Sequence, residues 1–465
     1  MLVAGKEEKA VLLKIFGLKK EKLIFDDRSL WLLLLPIMLE QLLNSFMGMA
    51  DTMMVSQVGA EAISAVSLVD SINVLVIQVF SALAAGATII CSQYLGRRKD
   101  EECCDAAKQV TITVTAISLT ITLLCLIFCR PLLSLIFGSV EEAVMDNSCI
   151  YFRITALSFP FIALFNAGSS FFRACGNSKF PMKISIISNV MNVTGNAILI
   201  FVFHMGVTGA ALSTLLSRIF CMAGCFYFLR KPRQVIVLKD YFSFRPDYQV
   251  IAKILAVGIP SGVENGMFQF GKLAIQSSVS TLGTTAIAAQ ALTIILENVN
   301  GVGGMGMGIG LMTLVGQCIG AGEKQQAKYY IAKVTGLAWL VELISCLFVY
   351  AIAKPVTVLA GLTADSASLC LYMTGWITVV KPISWTFSFI PAYGLRAAGD
   401  VRFSMIVSTL TMWFCRVALA VFLIRFCGFG PIAVWIGMFA DWTIRGVIFT
   451  IRYLSGRWLS KDVIG

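Results

Sequence analysis

One histidine, His204, stands in a chain of 465 residues. A single imidazole makes no histidine zinc set, and His204, near the end of an apolar span, is not read as the base of a Ser-His-Asp triad. Charge is scarce too: 14% of residues are Asp, Glu, Lys or Arg, against 58% hydrophobic. No soluble globular domain is composed in this way, and apolar stretches of about 20 residues mark helical membrane proteins. A membrane-embedded lipid or isoprenoid transferase would need aspartate-rich pairs or clustered histidines at an interface, and the sequence has none. It has no phosphate loop either. GVGGMGMGIG (301–310) is glycine-rich, but no Lys-Ser/Thr follows and no strand precedes it. In an apolar span such glycines allow close helix approach or local unwinding. Nothing resembles the filter of a channel. The fourteen cysteines are scattered, mostly through apolar segments. Cys103 and Cys104 lie in a charged loop assigned to the cytoplasm, where disulfides are rare. The i,i+4 pairs Cys125/Cys129 and Cys221/Cys225 read as small packing residues.

What is present is organised around residues 30–68, LWLLLLPIMLEQLLNSFMGMADTMMVSQVGAEAISAVSL. An apolar run long enough to cross a bilayer is broken by Pro36 and carries Glu40 and Asp51. A carboxylate within a spanning helix is costly, so it reads as a functional group facing other helices or water. Hydropathy places twelve spans near 30–54, 62–93, 108–129, 149–172, 181–204, 208–229, 252–279, 285–317, 331–353, 369–393, 403–424 and 431–451. The expected fold is therefore an all-α membrane protein of twelve transmembrane helices. Residues 1–29 form a basic, amphipathic, cytoplasmic lead-in, because AVLLKIFGL is too short and interrupted for a signal-peptide core.

The net charge of +11 suits the positive-inside rule better than nucleic acid, which is not expected as a partner. Basic residues gather in alternate loops: Arg97, Arg98 and Lys99; Arg173, Lys179 and Lys183; Arg230, Lys231, Arg233, Lys239 and Arg245; then Lys324, Lys328, Arg396, Arg402 and the tail. The other loops hold little beyond Arg130, Lys354 and Arg425. Both termini are thus expected in the cytoplasm, with the chain multi-pass in the plasma membrane.

An internal repeat divides the chain. A shift of 224 residues pairs Pro36 with Pro260, Glu40 with Glu264, Gly59 with Gly283, Gly86 with Gly310 and Gln93 with Gln317. FRACGNSKFPM (172–182) matches LRAAGDVRFSM (395–405) at a shift of 223. Six spans per repeat is an even number, so the halves share one orientation and are related by an axis along the membrane normal. The expected domains are an N-lobe over 30–230, a linker over 231–250, a C-lobe over 251–452 and a tail over 453–465. Two pseudo-symmetric six-helix bundles facing a central cavity suit an alternating-access carrier.

Charges within the spans carry the chemistry. Asp70 with Arg153, and Lys272 with Glu297, are expected ion pairs. Glu342, Arg416, Asp441 and Arg445 are expected to pair or to snorkel rather than act in transport. Asp51 differs because its repeat mate is Ile275. An acid found in one half alone does not serve a symmetric scaffold. In the fifth span, Asn192 and Asn196 share a helix face, with Asn189 close by. Their amide oxygens suit a small hard cation or a protonated carboxyl, or serve as glue between helices. Thr214 in the sixth span adds a hydroxyl.

These motifs, P-x3-E followed by ADTMMVSQVGAEAISAV and the paired FRACGN and LRAAGD turns, resemble the multidrug and toxic compound extrusion (MATE) family from Pro36 onward. The resemblance is closer to its DinF-like than its NorM-like branch. It implies a MATE/MOP-type fold and a secondary antiporter that exports cationic or amphipathic organic molecules in exchange for H⁺ or Na⁺. By that resemblance Asp51, Asn192, Asn196 and Thr214 form the coupling site, where Na⁺ would bind at Asp51, and Pro36 is a helix bend. Asn196 falls where relatives often carry a second aspartate. The NorM-type C-lobe carboxylate positions hold Phe268 and about Trp385, so that sodium site is not expected. Glu40, Glu264, Phe268, Lys272 and Lys381 are expected to line the substrate cavity. Small organic substrates and the bilayer are the expected partners of a monomer with no cofactor beyond its coupling ion. The alternatives are a lipid-linked precursor flippase on the same scaffold, which Lys272 and Lys381 favour, and a membrane-embedded lipid-modifying enzyme.

Overall fold

The computed structural model describes residues 14, 16–18, 23–138, 141–232, 234–239, 245–461 and 463. Most of the lead-in expected over 1–29 lies outside the described residues, as do parts of the 231–250 linker and of the tail. Among the described residues every regular element is helical. In chain order these are α1 (Asp27–Ser56), α2 (Ala60–Gly96), α3 (Asp100–Ile127), α4 (Cys129–Phe137), α5 (Glu142–Leu157), α6 (Phe159–Ala174), α7 (Lys179–Asn196) and α8 (Gly206–Leu229). There follow α9 (Tyr248–Val279), α10 (Thr284–Gly320), α11 (Lys324–Leu359), α12 (Ala364–Ala397), α13 (Val401–Thr411), α14 (Leu419–Arg425) and α15 (Ile432–Ser455).

Several of these join end to end. Helices α5 and α6 make one span, Glu142–Ala174, while α7 runs on through a π-helical turn at Ala197–Val202. A second π-helical stretch, Met412–Ala418, links α13 to α14. Ten spans among the described residues are long and apolar enough to cross a membrane. Helices α9 and α12, of 32 and 34 residues, bring the count to the expected twelve.

Local chemistry sets the ends. The backbone N–H of Ser29 donates to Asp26 Oδ1 at 2.8 Å, and the Ser29 bonds hold that carboxyl below its ordinary pKa. Thr363 caps α12 through the Ser366 N–H. The repeat recurs in the backbone: Gly59 (φ 142, ψ 169) precedes α2, and Gly283 (φ 89, ψ 169) precedes α10. Residues with a side chain essentially never occupy that region, which explains a glycine at both copies.

By contacts the chain forms two compact units, Met1–Gln41 with Val263–Gly465, and Leu42–Gly262. Both crossing points lie inside a helix, α1 and α9, shortly after Pro36 and Pro260. Small residues explain which part of each helix packs where. In the unit containing Leu42–Gly262, a Cβ on Gly86 would sit 3.5 Å from Gly258 N and 3.6 Å from Ile254 O, so the first part of α9 lies directly on α2. In the other unit, Gly310 abuts Leu34 and Ile37, and a Cβ on Gly306 would fall 2.7 Å from Met38 Cα, so the first part of α1 lies on α10. Gly86 and Gly310 are repeat mates. Close backbone approach through small residues is how helices associate where lipid gives no hydrophobic drive.

Within Leu42–Gly262, α2 packs on α5 and α6, and α7 on α8; in the other unit α10, α11 and α12 pack mutually, with α15 against α12. We expect Gly306→Val to overpack the α1–α10 contact and cost about 1–3 kcal/mol. Gly336→Ala, with nothing within 4 Å of the added methyl, should be neutral or stabilising. Thermal unfolding of the purified variants in detergent checks the contrast, and equal melting temperatures would contradict the packing described.

Candidate functional site

The unit Leu42–Gly262 gathers the polar residues of α1, α7 and α8. Asn192 and Asn196 are one turn apart on α7, and both are fully buried. Helices α7 and α8 lie close because residue 195 is glycine: a Cβ there would meet Ser213 Cβ at 3.3 Å. Ser213 Oγ donates to the Asn192 carbonyl at 2.8 Å, fixing the register of the pair. Asn192 Nδ2 then donates to Thr214 Oγ1 at 3.3 Å. Asn196 Nδ2 donates to Asp51 Oδ1 at 2.6 Å, and more weakly to Asn192 Oδ1 at 3.4 Å. Asp51, Asn192, Asn196 and Thr214, singled out in the sequence from three separate spans, therefore form one hydrogen-bonded chain.

Two features give this chain chemical capacity. The buried Asn196 Oδ1 has no hydrogen-bond partner. Asn196 is also the last α-helical residue before the π turn Ala197–Val202, and such widened turns occur often at functional sites. Among the described residues, no cation lies within ion-pair distance of Asp51.

The surroundings were only partly foreseen. Asp70 does not pair with Arg153, which is exposed. Its Oδ1 instead accepts from Tyr151 OH at 3.3 Å and Asn73 Nδ2 at 3.2 Å. Residues two apart on a helix do not share a face, so turning Tyr151 towards α2 turns Arg153 away. Arg218 Nη1 donates to Ser158 Oγ at 2.7 Å. Asp70 and Arg218 both stand near enough to act on the Asp51 charge. The sequence marked Asp70 as an intramembrane charge but carried no sign of the Tyr151 contact. Asn44, also on α1, was missed; its Oδ1 accepts from Ser185 Oγ at 3.1 Å.

In the other unit, Pro36, Glu40 and Glu264 are all buried. Arg396 Nη2 donates to Glu264 Oε1 at 2.6 Å. The expected Lys272–Glu297 pair is replaced: Glu297 Oε1 lies 2.7 Å from Lys381 Nζ, with Glu342 Oε1 at 3.3 Å and Asn300 Oδ1 also in contact. Lys381 has no exposed surface and is drawn from α12 to α10 and α11, the helices packed on it. Its ammonium also sits 5.5 Å above the Trp385 ring. Asp441 and Arg445 face each other at 3.6 Å, as expected of a structural pair. Lys272 is exposed and Phe268 half-buried.

Comparison with known proteins agrees with this layout. The MatE family pattern matches residues 36–198 and 260–422, one copy in each repeat. A Bacillus subtilis protein named "Uncharacterized transporter YisQ" is 29% identical over 446 residues, covering 94% of this chain and 96% of its own length. A Thermotoga maritima protein named "Probable multidrug resistance protein NorM" is 26% identical, covering 96% of each chain. The solved outward-facing structure of a multidrug resistance MATE transporter of the MOP superfamily shares the fold at TM-score 0.86 and 20% identity, covering 92% of this chain and 96% of that one. Matched in both of its repeats, this chain belongs to the MatE family, whose members are membrane transporters and not enzymes.

Proposed function

We propose that this transporter is a secondary antiporter that exports cationic or amphipathic organic compounds by alternating access, in exchange for H⁺ or Na⁺, with Asp51 as the coupling carboxylate. One observation carries the reading. Glu264 is held by Arg396 and Asp441 faces Arg445, whereas the carboxylate of Asp51 is hydrogen-bonded by the neutral Asn196 amide and, among the described residues, has no cation within ion-pair distance. Such a group can be neutralised by an arriving ion without first breaking an ion pair.

The same atoms serve either ion. When charged, Asp51 accepts from Asn196 Nδ2. With a proton on Asp51, its hydroxyl needs an acceptor, and Asn196 Oδ1 is the unsatisfied one; turning the amide over makes that bond. For sodium, Asp51, Asn192 Oδ1, Asn196 Oδ1 and Thr214 Oγ1 supply the oxygen ligands a hard cation takes. Either event removes the charge that the amide now stabilises, so the position of α1 relative to α7 changes in energy. Pro36, which lacks the N–H of an unbroken helix, is where α1 bends at least cost. Bending narrows the space beside Asp51 and favours release of the organic substrate, which ties ion entry to substrate exit.

Phe268 and Lys272 supply accessible substrate-facing surface in this reading, while Glu40, Glu264 and Lys381 support it from behind. The alternate-loop bias of Arg97, Arg98 and Lys99, and of Arg396 and Arg402, supports cytoplasmic termini in the plasma membrane. The chain works as a monomer with no cofactor besides the coupling ion.

Asp51→Asn should remove gradient-driven export while leaving folding and substrate binding intact. Purified protein in liposomes under imposed H⁺ or Na⁺ gradients tests this, with monodispersity as the folding check; wild-type export by the variant would take Asp51 out of the mechanism. Asn196→Asp adds a second charged oxygen, and cation affinity rises with the number of such ligands. Export by that variant should depend more steeply on sodium than wild type does. An unchanged sodium dependence would mean that Asn196 does not face the ion.

A further inference from the structure

The unit holding Val263–Gly465 has more cations within its spans than its carboxylates satisfy. Glu264 is taken by Arg396, Glu297 and Glu342 both by Lys381, and Asp441 stands against Arg445. That leaves Lys272 on α9 and Arg416 in the π-helical stretch Met412–Ala418. Neither has a carboxylate within ion-pair distance among the described residues, and the buried Arg416 Nε has no hydrogen-bond partner.

The two are also brought together. Gly271, beside Lys272, lies directly against Met412 and 3.3 Å from Val417 Cγ2 as measured from an added Cβ, so α9 touches the π stretch on both sides of Arg416. Arg416 is near enough to act electrostatically on Lys272. Glu297 and Asp441 act on these two cations only from beyond ion-pair distance, and holding like charges near one another in a membrane domain is costly without a closer counter-ion. An aromatic wall adjoins them. The guanidinium of Arg416 lies 5.9 Å from the Phe268 centroid, and that of Arg445 lies 5.2 Å from the same ring. Phe389 continues the wall, 6.4 Å from Phe268.

The geometry points to an anion subsite here, one that takes a carboxylate or phosphate group attached to a flat aromatic ring. The Lys272 ammonium, on a residue with exposed surface, supplies a point charge. The Arg416 guanidinium supplies a planar fork of N–H donors that matches such oxyanions. The Phe268 ring takes the aromatic body, and its surface is accessible because it is only half-buried. The subsite uses no atom of the Asp51 chain. It extends the substrate class of the proposed transporter to anionic or zwitterionic aromatic compounds. As cargo recognition it rests on that reading; as binding it is tested without any gradient.

The test uses the full chain, purified in uncharged detergent, with 2-naphthyl phosphate as probe and tryptophan fluorescence as readout. Wild type should bind this probe at least tenfold more tightly than the uncharged 2-naphthylmethanol. Lys272→Gln and Arg416→Gln should each weaken phosphate binding by at least tenfold, and Arg416→Lys by less. The exposed Lys272→Gln keeps the test sound if Arg416 variants fail to fold, and Lys183→Gln in the other unit should change nothing. A second arm repeats the titration in zwitterionic nanodiscs with and without anionic lipid. Competition by the lipid assigns the subsite to a lipid headgroup phosphate, and absence of competition to a soluble anion; either supports the oxyanion chemistry. Equal affinity for the phosphate and uncharged probes, or unaltered phosphate binding by folded Lys272→Gln, overturns the proposal. Neither result bears on coupling through Asp51, which only the gradient assays address.

Discussion

A charge inside a membrane-spanning helix must be matched, because hydrocarbon gives it nothing. That constraint sorts the charged residues within the spans by whether an opposite charge lies within ion-pair distance. Lys381 meets it fully, with two carboxylates and an amide oxygen around its ammonium and no exposed surface. The pair of Glu264 and Arg396 fixes α9 to α12 in the same way. Removing one member of such a cluster would strand the other, typically at about 3–5 kcal/mol, so these groups are poorly suited to daily titration. The exceptions are informative. Among the described residues Asp51 has no cation within ion-pair distance, and Lys272 and Arg416 have no carboxylate within it, so the proposed ion and substrate sites are placed there.

Glycine contacts fix which part of each leading helix packs in which unit. Gly86 and Gly310 are repeat mates, and each admits the first part of the other repeat's leading helix at backbone distance. The compact units therefore change over within α1 and α9 rather than in a loop. The proline near each crossing limits where the helix must remain straight. Asp51 lies beyond the crossing on α1, and the residues that meet Gly306 and Gly310 lie before it on the same helix.

Much of this was legible from sequence because it follows from length and identity alone. Apolar runs mark spans whatever their neighbours are, and the shift of 224 exposed the repeat through Pro36/Pro260 and Gly59/Gly283. Asp51 stood out because the repeat does not reproduce it. Partner choice was less accessible, since it depends on how each helix is rotated about its axis. Glu297 could be matched on paper with Lys272 or Lys381; the packing of α10 on α12 selects Lys381. Asp70 went to Tyr151 rather than Arg153 for a similar reason, the two candidates lying on different faces of α5. The change of unit within α1 was equally hidden, because small residues permit a close approach without saying which helix will make it.

The central claim is that an ion and the organic substrate exclude one another through Asp51. It is tested most directly by titrating purified wild-type protein with a tightly bound organic cation. Proton release would be followed in weakly buffered solution, and displacement of radioactive sodium in parallel. The account predicts that one of the two ions leaves in proportion to substrate bound. Substrate binding that releases neither would contradict it.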